Sequence, residues 1–238
     1  MGTAHIISRS SELFRDRQEA GRLLAQQLVE MHGKKAIVLG IPRGGIIVAR
    51  ELARALDAEL DIVLSHKLRT PGRQELALGS IAEDGKLFLN QALVQELGVG
   101  QSYIQREGAQ QFAEIKRRSE LIRRIRPKVP LKGKLVIVTD DGVATGATTQ
   151  AALWAVRQEK PSRLIAAIPV GAEETIMRLA EDADEMVCLR VPPYFAAVGQ
   201  FYVRFDQVED KEMLEILKKE VERQSGTKPE GSRKYNQV

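Results

Sequence analysis

Cysteine is almost absent from this sequence: Cys188 is the single thiol, which excludes an internal disulfide and suits a reducing compartment. It lies in the apolar run 186–189, where a buried structural thiol is expected rather than a nucleophile. Aromatic residues make up only 5% of the 238 positions, so any local concentration of them is informative. No apolar run approaches the ~20 residues needed to span a bilayer. The first residues also show no charged-then-apolar signal pattern, so a cytoplasmic protein without membrane contact is expected. Neither sign of charge dominates. The net charge of +4 is compatible with phosphorylated ligands or nucleic acid, and equally with a slightly basic enzyme.

What is present is ordinary globular material. A hydrophobic content of 43% with 29% charged residues is enough for a sizeable core, in one large domain or a domain with a small appendage. Leu13, Ala20, Leu24, Leu28 and Met31 recur at helical spacing, so Ser10 or Ser11 is expected to cap a helix ending near Gly33. Strand-like runs at 36–41, 60–64, 135–139, 164–168 and 185–189 alternate with helical patterns at about 45–56, 101–124, 148–159 and 173–181. Short buried-type strands separated by helices predict an α/β fold: a parallel twisted sheet flanked by helices. Between 69 and 90 the pattern weakens, and a long functional loop is expected there. Residues 1–223 are expected to form one domain, with a core at about 34–190 and a small hood from 1–33 and 191–223. The last helix is expected at about 210–223, and residues 224–238 read as a polar, disordered tail.

The chemistry concentrates at 135–149, where an apolar strand ends in Asp140 and Asp141 and a small-residue turn opens a helix. In an open parallel sheet ligands bind at the carboxyl ends of the strands. A helix start offers unpaired N–H groups and a positive dipole end to a phosphate. Gly146 permits close backbone approach and Thr145, Thr148 and Thr149 add hydroxyl donors, in a loop that also contains the small residues Ala144 and Ala147. Carboxylates beside a phosphate would repel it, so the acidic pair makes sense if a sugar separates the two, or if it faces a hydrated magnesium ion.

Strand, acidic pair and Thr-Gly-Ala-Thr together resemble the PRPP-binding signature of the type I phosphoribosyltransferases, and the likeness in fold extends over about residues 36–189. The whole chain is similar to a group of bacterial and archaeal members whose substrate base is unassigned. The resemblance implies that residues 144–149 hold a 5-phosphate and that Asp140 and Asp141 hold the ribose. It also implies that Gly40-Ile-Pro-Arg-Gly-Gly45 is the pyrophosphate loop, with Arg43, Gly44 and Gly45 as binding groups and a non-proline cis peptide often present. Lys67 matches the family lysine that reaches pyrophosphate from the next strand end, and residues 75–90 take the place of a flexible loop that closes over PRPP. Glu83, Asp84 and Lys86 lie in it without an assigned role. The aromatic segment carrying Tyr194, Phe195 and Tyr202 takes the place of the base-binding hood, and equally could be a satellite core. Ala144 stands where enzymes for 6-oxopurines often carry an acid, which argues against hypoxanthine–guanine specificity.

The implied reaction is transfer of the phosphoribosyl group from PRPP to a nitrogen acceptor, a nucleobase by analogy, in nucleotide metabolism. Arg43, Lys67, Asp140 and Asp141 would be its catalytic residues. Magnesium would be held mainly by PRPP near Asp140 and Asp141, with no direct protein ligand. Homodimers are common in the family. The alternative is a regulator of the same fold that senses PRPP or a nucleotide with little turnover. The basic stretch with Lys116, Arg117, Arg118, Arg123, Arg124, Arg126, Lys128 and Lys132 would then be a nucleic-acid contact, although a solvated helix face is the more ordinary reading and nucleic acid is not the expected partner. A phosphatase or kinase of ribose phosphates ranks last, because it leaves the Thr-Gly-Ala-Thr turn unexplained.

Overall fold

A computed structural model describes residues 2–226, apart from the side chains of residues 73–75. Its main body is a six-stranded parallel sheet in the order β1 (Thr3–Ser8), β9 (Glu185–Arg190), β8 (Arg163–Val170), β7 (Leu135–Thr139), β2 (Ile37–Gly40) and β3 (Glu59–Ile62). Strands β2, β7 and β8 are almost wholly buried, as both-face burial of a parallel sheet requires. Helices α1 (Arg17–Gln26), α2 (Gly45–Leu56), α5 (Ala147–Gln158), α6 (Glu173–Leu179) and α7 (Asp210–Gln224) belong to this body. Apolar residues divide into two clusters, one containing Val38, Leu52 and Ile137 and the other Leu39, Val138 and Ile168. Alternate residues of each central strand feed opposite faces. Cys188 is buried in the second cluster, and burial pushes its thiol up to about 12, which suits a packing role.

Three sequence expectations are corrected. No strand was expected before residue 36, yet β1 adds to the sheet in parallel with β9, from Thr3 opposite Glu185 to Ser8 opposite Arg190. Its exposed–half-buried alternation lacks the apolar run that marks the interior strands. The first helix begins at Arg17, not after Ser10 or Ser11, because Asp16 is the cap: its carboxylate accepts from the Glu19 amide at 2.9 Å. The Ser8 and Ser10 hydroxyls are used in turns instead.

The third correction is the expected loop at 69–90. A three-stranded antiparallel sheet stands there, built from β4 (Ser65–Thr70), β5 (Arg73–Ala82) and β6 (Leu87–Leu89). Register shifts around Leu68, Arg69 and Thr70 break the two-residue alternation that would have announced it. Gly79 is needed where β6 crosses, since a Cβ there would collide with the Phe88 carbonyl. Short α3 (Gln91–Glu96) leads to α4 (Gln101–Ile125), which buries Ile104, Ile115 and Ile122. Of the expected tail at 224–238, Gln224 is the last residue of α7, and residues 227–238 lie outside the described residues.

Candidate functional site

The site forms where β2 and β7 end side by side. Gly40 pairs with Thr139, and the Ile41 amide continues the ladder by donating to the Thr139 carbonyl at 2.9 Å. Both chains then turn into helices at the same edge, so the loop 40–45 and the loop 140–149 touch. Gly44 and Gly45 make this possible. A Cβ on Gly44 would collide with the Asp141 carboxylate, and one on Gly45 would lie 2.9 Å from the Asp140 Cα. The Pro42–Arg43 peptide is cis.

Gly146 precedes α5 with φ +76°, a left-handed conformation that glycine adopts without strain. A Cβ there would also stand 2.7 Å from the Thr175 Cγ2. The turn is propped from α6, where the Thr175 hydroxyl donates to the Ala144 carbonyl at 2.8 Å and Arg178 donates to the Thr145 carbonyl at 2.6 Å. Ala144, Thr145 and Thr148 are exposed, whereas Ala147 and Thr149 are buried. Of the three hydroxyls, those of Thr145 and Thr148 are therefore the reachable ones, together with the first-turn amides of α5.

Asp140 is half-buried and its Oδ1 accepts from the Asp141 amide at 2.8 Å. Burial first, then the Asp141 charge and a side-chain hydrogen bond to Asp141, lift the Asp140 carboxyl well above the usual carboxylate range. The Asp141 amide and the more distant Arg17 oppose that rise only in part. Asp141 itself is paired with Arg17, Nε to Oδ2 at 2.7 Å. Arg17 escaped the sequence reading because its partner lies 124 positions away and its own surroundings look like an ordinary helix start.

Lys67 projects from β4 opposite Ser80 and lines a cleft of about 200 Å³ together with Ile41, Pro42, His66, Arg69 and Thr148. The structure thus brings the loop 40–45, Lys67 and the start of α5 to one cavity. His66 in that cleft is engaged through Nδ1 with Gln111 Oε1 at 3.0 Å. Arg43 is about one-third exposed, 3.9 Å from Glu209. The candidates Glu83, Asp84 and Lys86 are committed elsewhere: Glu83 pairs with Arg123 at 2.6 Å, and Asp84 pairs with Lys86 at 2.7 Å.

The aromatic candidates separate. Tyr194 is 76% exposed. Phe195 is half-buried against Phe201, with ring centres 5.0 Å apart. Of the two readings of the aromatic segment, Tyr202 fits the satellite core and offers no stacking surface. It is buried between Phe14 and Phe205, and its hydroxyl donates to the Asp141 carbonyl at 2.5 Å. Much of the basic stretch is also spent within the protein: Arg123 pairs with Asp61, Arg126 with Glu59 and Lys128 with Glu159.

The family model described as a phosphoribosyl transferase domain matches residues 11–206. A curated protein of Mycobacterium tuberculosis H37Rv, provisionally named phosphoribosyl transferase Rv0571c, is 42% identical over 206 residues, 87% of this chain and 46% of its own length. Its counterpart MT0597 from strain CDC 1551 matches equally. The chain therefore spans about half the length of the curated relatives it matches. The crystal structure of TT1426 from Thermus thermophilus is 46% identical, with a TM-score of 0.83 over 87% of this chain and 98% of that one.

Proposed function

The chain belongs to the phosphoribosyl transferase domain family, and from that premise we propose that it transfers the 5-phosphoribosyl group from PRPP to a nitrogen acceptor, releasing pyrophosphate. The observation that carries this reading is the contact between Gly44–Gly45 and Asp140–Asp141, in two loops whose neighbouring residues Pro42 and Thr148 line one cleft together with Lys67. A ligand with phosphate at both ends and a sugar between them suits that sequence of groups. The α5 amides with Thr145 and Thr148 would take the 5-phosphate. Asp140 and Asp141 would accept from the ribose hydroxyls. Arg43, the amides of Gly44 and Gly45, and Lys67 would take the pyrophosphate, and their positive charge would stabilise it as it leaves C1. No covalent intermediate with the protein is required, and the rate gain would come from orientation and leaving-group stabilisation.

Among the described residues no group of three or more carboxylate, histidine or cysteine side chains could hold a metal ion, and Asp141 is already paired with Arg17. That donor set suits a magnesium ion carried mainly by PRPP oxygens, with Asp140 and Asp141 reaching its bound waters. When bound, magnesium would offset pyrophosphate charge. Exposed Tyr194 and half-buried Phe195 are the candidates for stacking on a planar nitrogen base, under a hood built from the terminal segments. The pairing of Arg123 on α4, and of Arg126 and Lys128 just beyond its end, supports reading this part of the basic stretch as packing, so nucleic acid is not included among the partners. A cytoplasmic homodimer completes the reading.

The test is calorimetric titration of PRPP with magnesium into the wild type and into the doubly substituted Asp140→Asn/Asp141→Asn protein. Saturable binding by the wild type alone is expected, after which pyrophosphate release identifies the acceptor from a panel of bases. Absence of binding to a folded wild type would overturn the proposal.

A further inference from the structure

Arg17 is a buried charge at the edge of the site, and its contacts point inward to one carboxylate. As the first residue of α1 it leaves the helix start that Asp16 caps. Its side chain is 9% exposed and held from three directions. Nε donates to Asp141 Oδ2 at 2.7 Å, Nη1 donates to the Asp206 carbonyl at 2.8 Å, and the guanidinium carbon lies 3.8 Å over the Phe205 ring. Burying a guanidinium is unfavourable unless partners surround it, and all three partners here lie far from it in sequence.

Asp141 is correspondingly enclosed. Gly44 packs on its carboxylate, where a Cβ would collide with Oδ2 and stand 2.9 Å from the Arg17 Nε. Its main-chain carbonyl accepts from Tyr202. One carboxylate oxygen and the backbone of Asp141 are thus fixed by groups from both ends of the chain. A planar guanidinium restricts the rotation of a carboxylate in a way that a mobile ammonium does not.

We propose that Arg17 is a positioning residue for the ribose end of the site: it holds the Asp141 carboxylate in one rotamer beside Asp140, ready for the sugar hydroxyls, and ties that rotamer to the segment 205–206. This rests on the PRPP reading of the site. In this role Arg17 acts through Asp141 and not by contact with the ligand. Its effect is therefore confined to ligands that carry the ribose, and pyrophosphate alone, held by Arg43, Gly44, Gly45 and Lys67, is indifferent to it.

The experiment compares two ligands, PRPP and inorganic pyrophosphate, each with magnesium, by calorimetry. The proteins are wild type, Arg17→Met, Arg17→Lys, Asp141→Asn and the Arg17→Met/Asp141→Asn pair. Arg17→Met is expected to weaken PRPP on the order of tenfold while pyrophosphate stays within about twofold, and Arg17→Lys to recover part of the loss. In the Asp141→Asn background the same change should cost less than about twofold, because the two groups act as a unit. Unchanged PRPP affinity in Arg17→Met, equal losses for both ligands, or full additivity with Asp141→Asn would each overturn the role. If Arg17→Met does not fold, a PRPP-selective loss in Arg17→Lys supports the role, and its absence overturns it. A wild type that binds no PRPP removes the reading of the site and this role with it. Normal wild-type binding with an indifferent Arg17→Met removes the role alone.

Discussion

The Tyr202 hydroxyl donates to the Asp141 carbonyl at 2.5 Å from a ring buried between Phe14 and Phe205. Burial first, and then the Asp141 charge, push the phenol well above its ordinary range, so Tyr202 remains a donor throughout physiological pH. An aromatic residue in the segment assigned to base binding thus supports an acidic loop from behind. Tyr202→Phe keeps the ring and removes the donor, leaving the Asp141 carbonyl without that bond. The expected cost is about 1 kcal/mol of stability, read from the midpoint of urea unfolding, with a parallel loss of PRPP affinity. An unchanged midpoint would show that water replaces the hydroxyl.

Gly146 carries two separate requirements, and one substitution tests both. Alanine at φ +76° is strained by about 1–2 kcal/mol, and its Cβ would press on Thr175 at 2.7 Å, moving a side chain that holds the turn through Ala144. Gly146→Ala is therefore expected to destabilise by about 2 kcal/mol or more and to weaken ribose 5-phosphate and PRPP alike, while pyrophosphate binding persists. Equal loss of all three ligands would contradict the division of the site into separate ends.

Asp140 gives a pH signature. Its folded-state carboxyl is raised by burial and by Asp141, so the folded protein holds a proton that an unfolded aspartate releases near pH 4. The contribution to stability is fully present below the unfolded value and is lost as pH rises through the folded one. Asp140→Asn does not titrate there, and its amide oxygen can keep the bond from the Asp141 amide. Thermal midpoints measured from pH 4 to 9 should therefore shift in favour of the variant as pH increases. A difference that stays constant with pH would show that Asp140 ionises normally.

The parts of the site legible in the sequence are those whose signal is local. The run 135–149 contains a buried strand, an acidic pair and a small-residue helix start in consecutive positions, and Gly40 to Gly45 repeats the strand–turn–helix pattern. Each is read within about fifteen residues. Arg17 is not legible, because its meaning depends on Asp141, Phe205 and Asp206, which only the fold brings to it. Tyr202 stays open between base-binding hood and satellite core for a related reason: sequence places it in an aromatic cluster but does not say which rings face inward. The hairpins at 65–89 were hidden by the shifts around Arg69, and β1 by its half-exposed edge position.

The Asp61–Arg123–Glu83 cluster separates stability from function. Asp61 and Glu83 have side chains 1% and 8% exposed, and Arg123 reaches both, at 2.7 and 2.6 Å. Burial opposes the Arg123 charge, but hydrogen bonds and attraction from Glu83 and Asp61 outweigh it and leave the guanidinium raised. Removing the cation strands two buried carboxylates, with Lys128 at 3.8 Å from Glu83 as a poorer substitute. Arg123→Met is expected to destabilise by about 3–5 kcal/mol. Neutralising the partners as well, in Arg123→Met/Asp61→Asn/Glu83→Gln, should recover much of that loss, because the cost lies in uncompensated charge rather than in lost attraction. None of the three lines the cleft that contains Lys67 and Thr148. PRPP affinity of the folded triple variant should therefore match wild type, measured at a temperature well below its midpoint. A large PRPP defect there would mean that α4 and β3 set the geometry of the cleft as well as the stability of the fold.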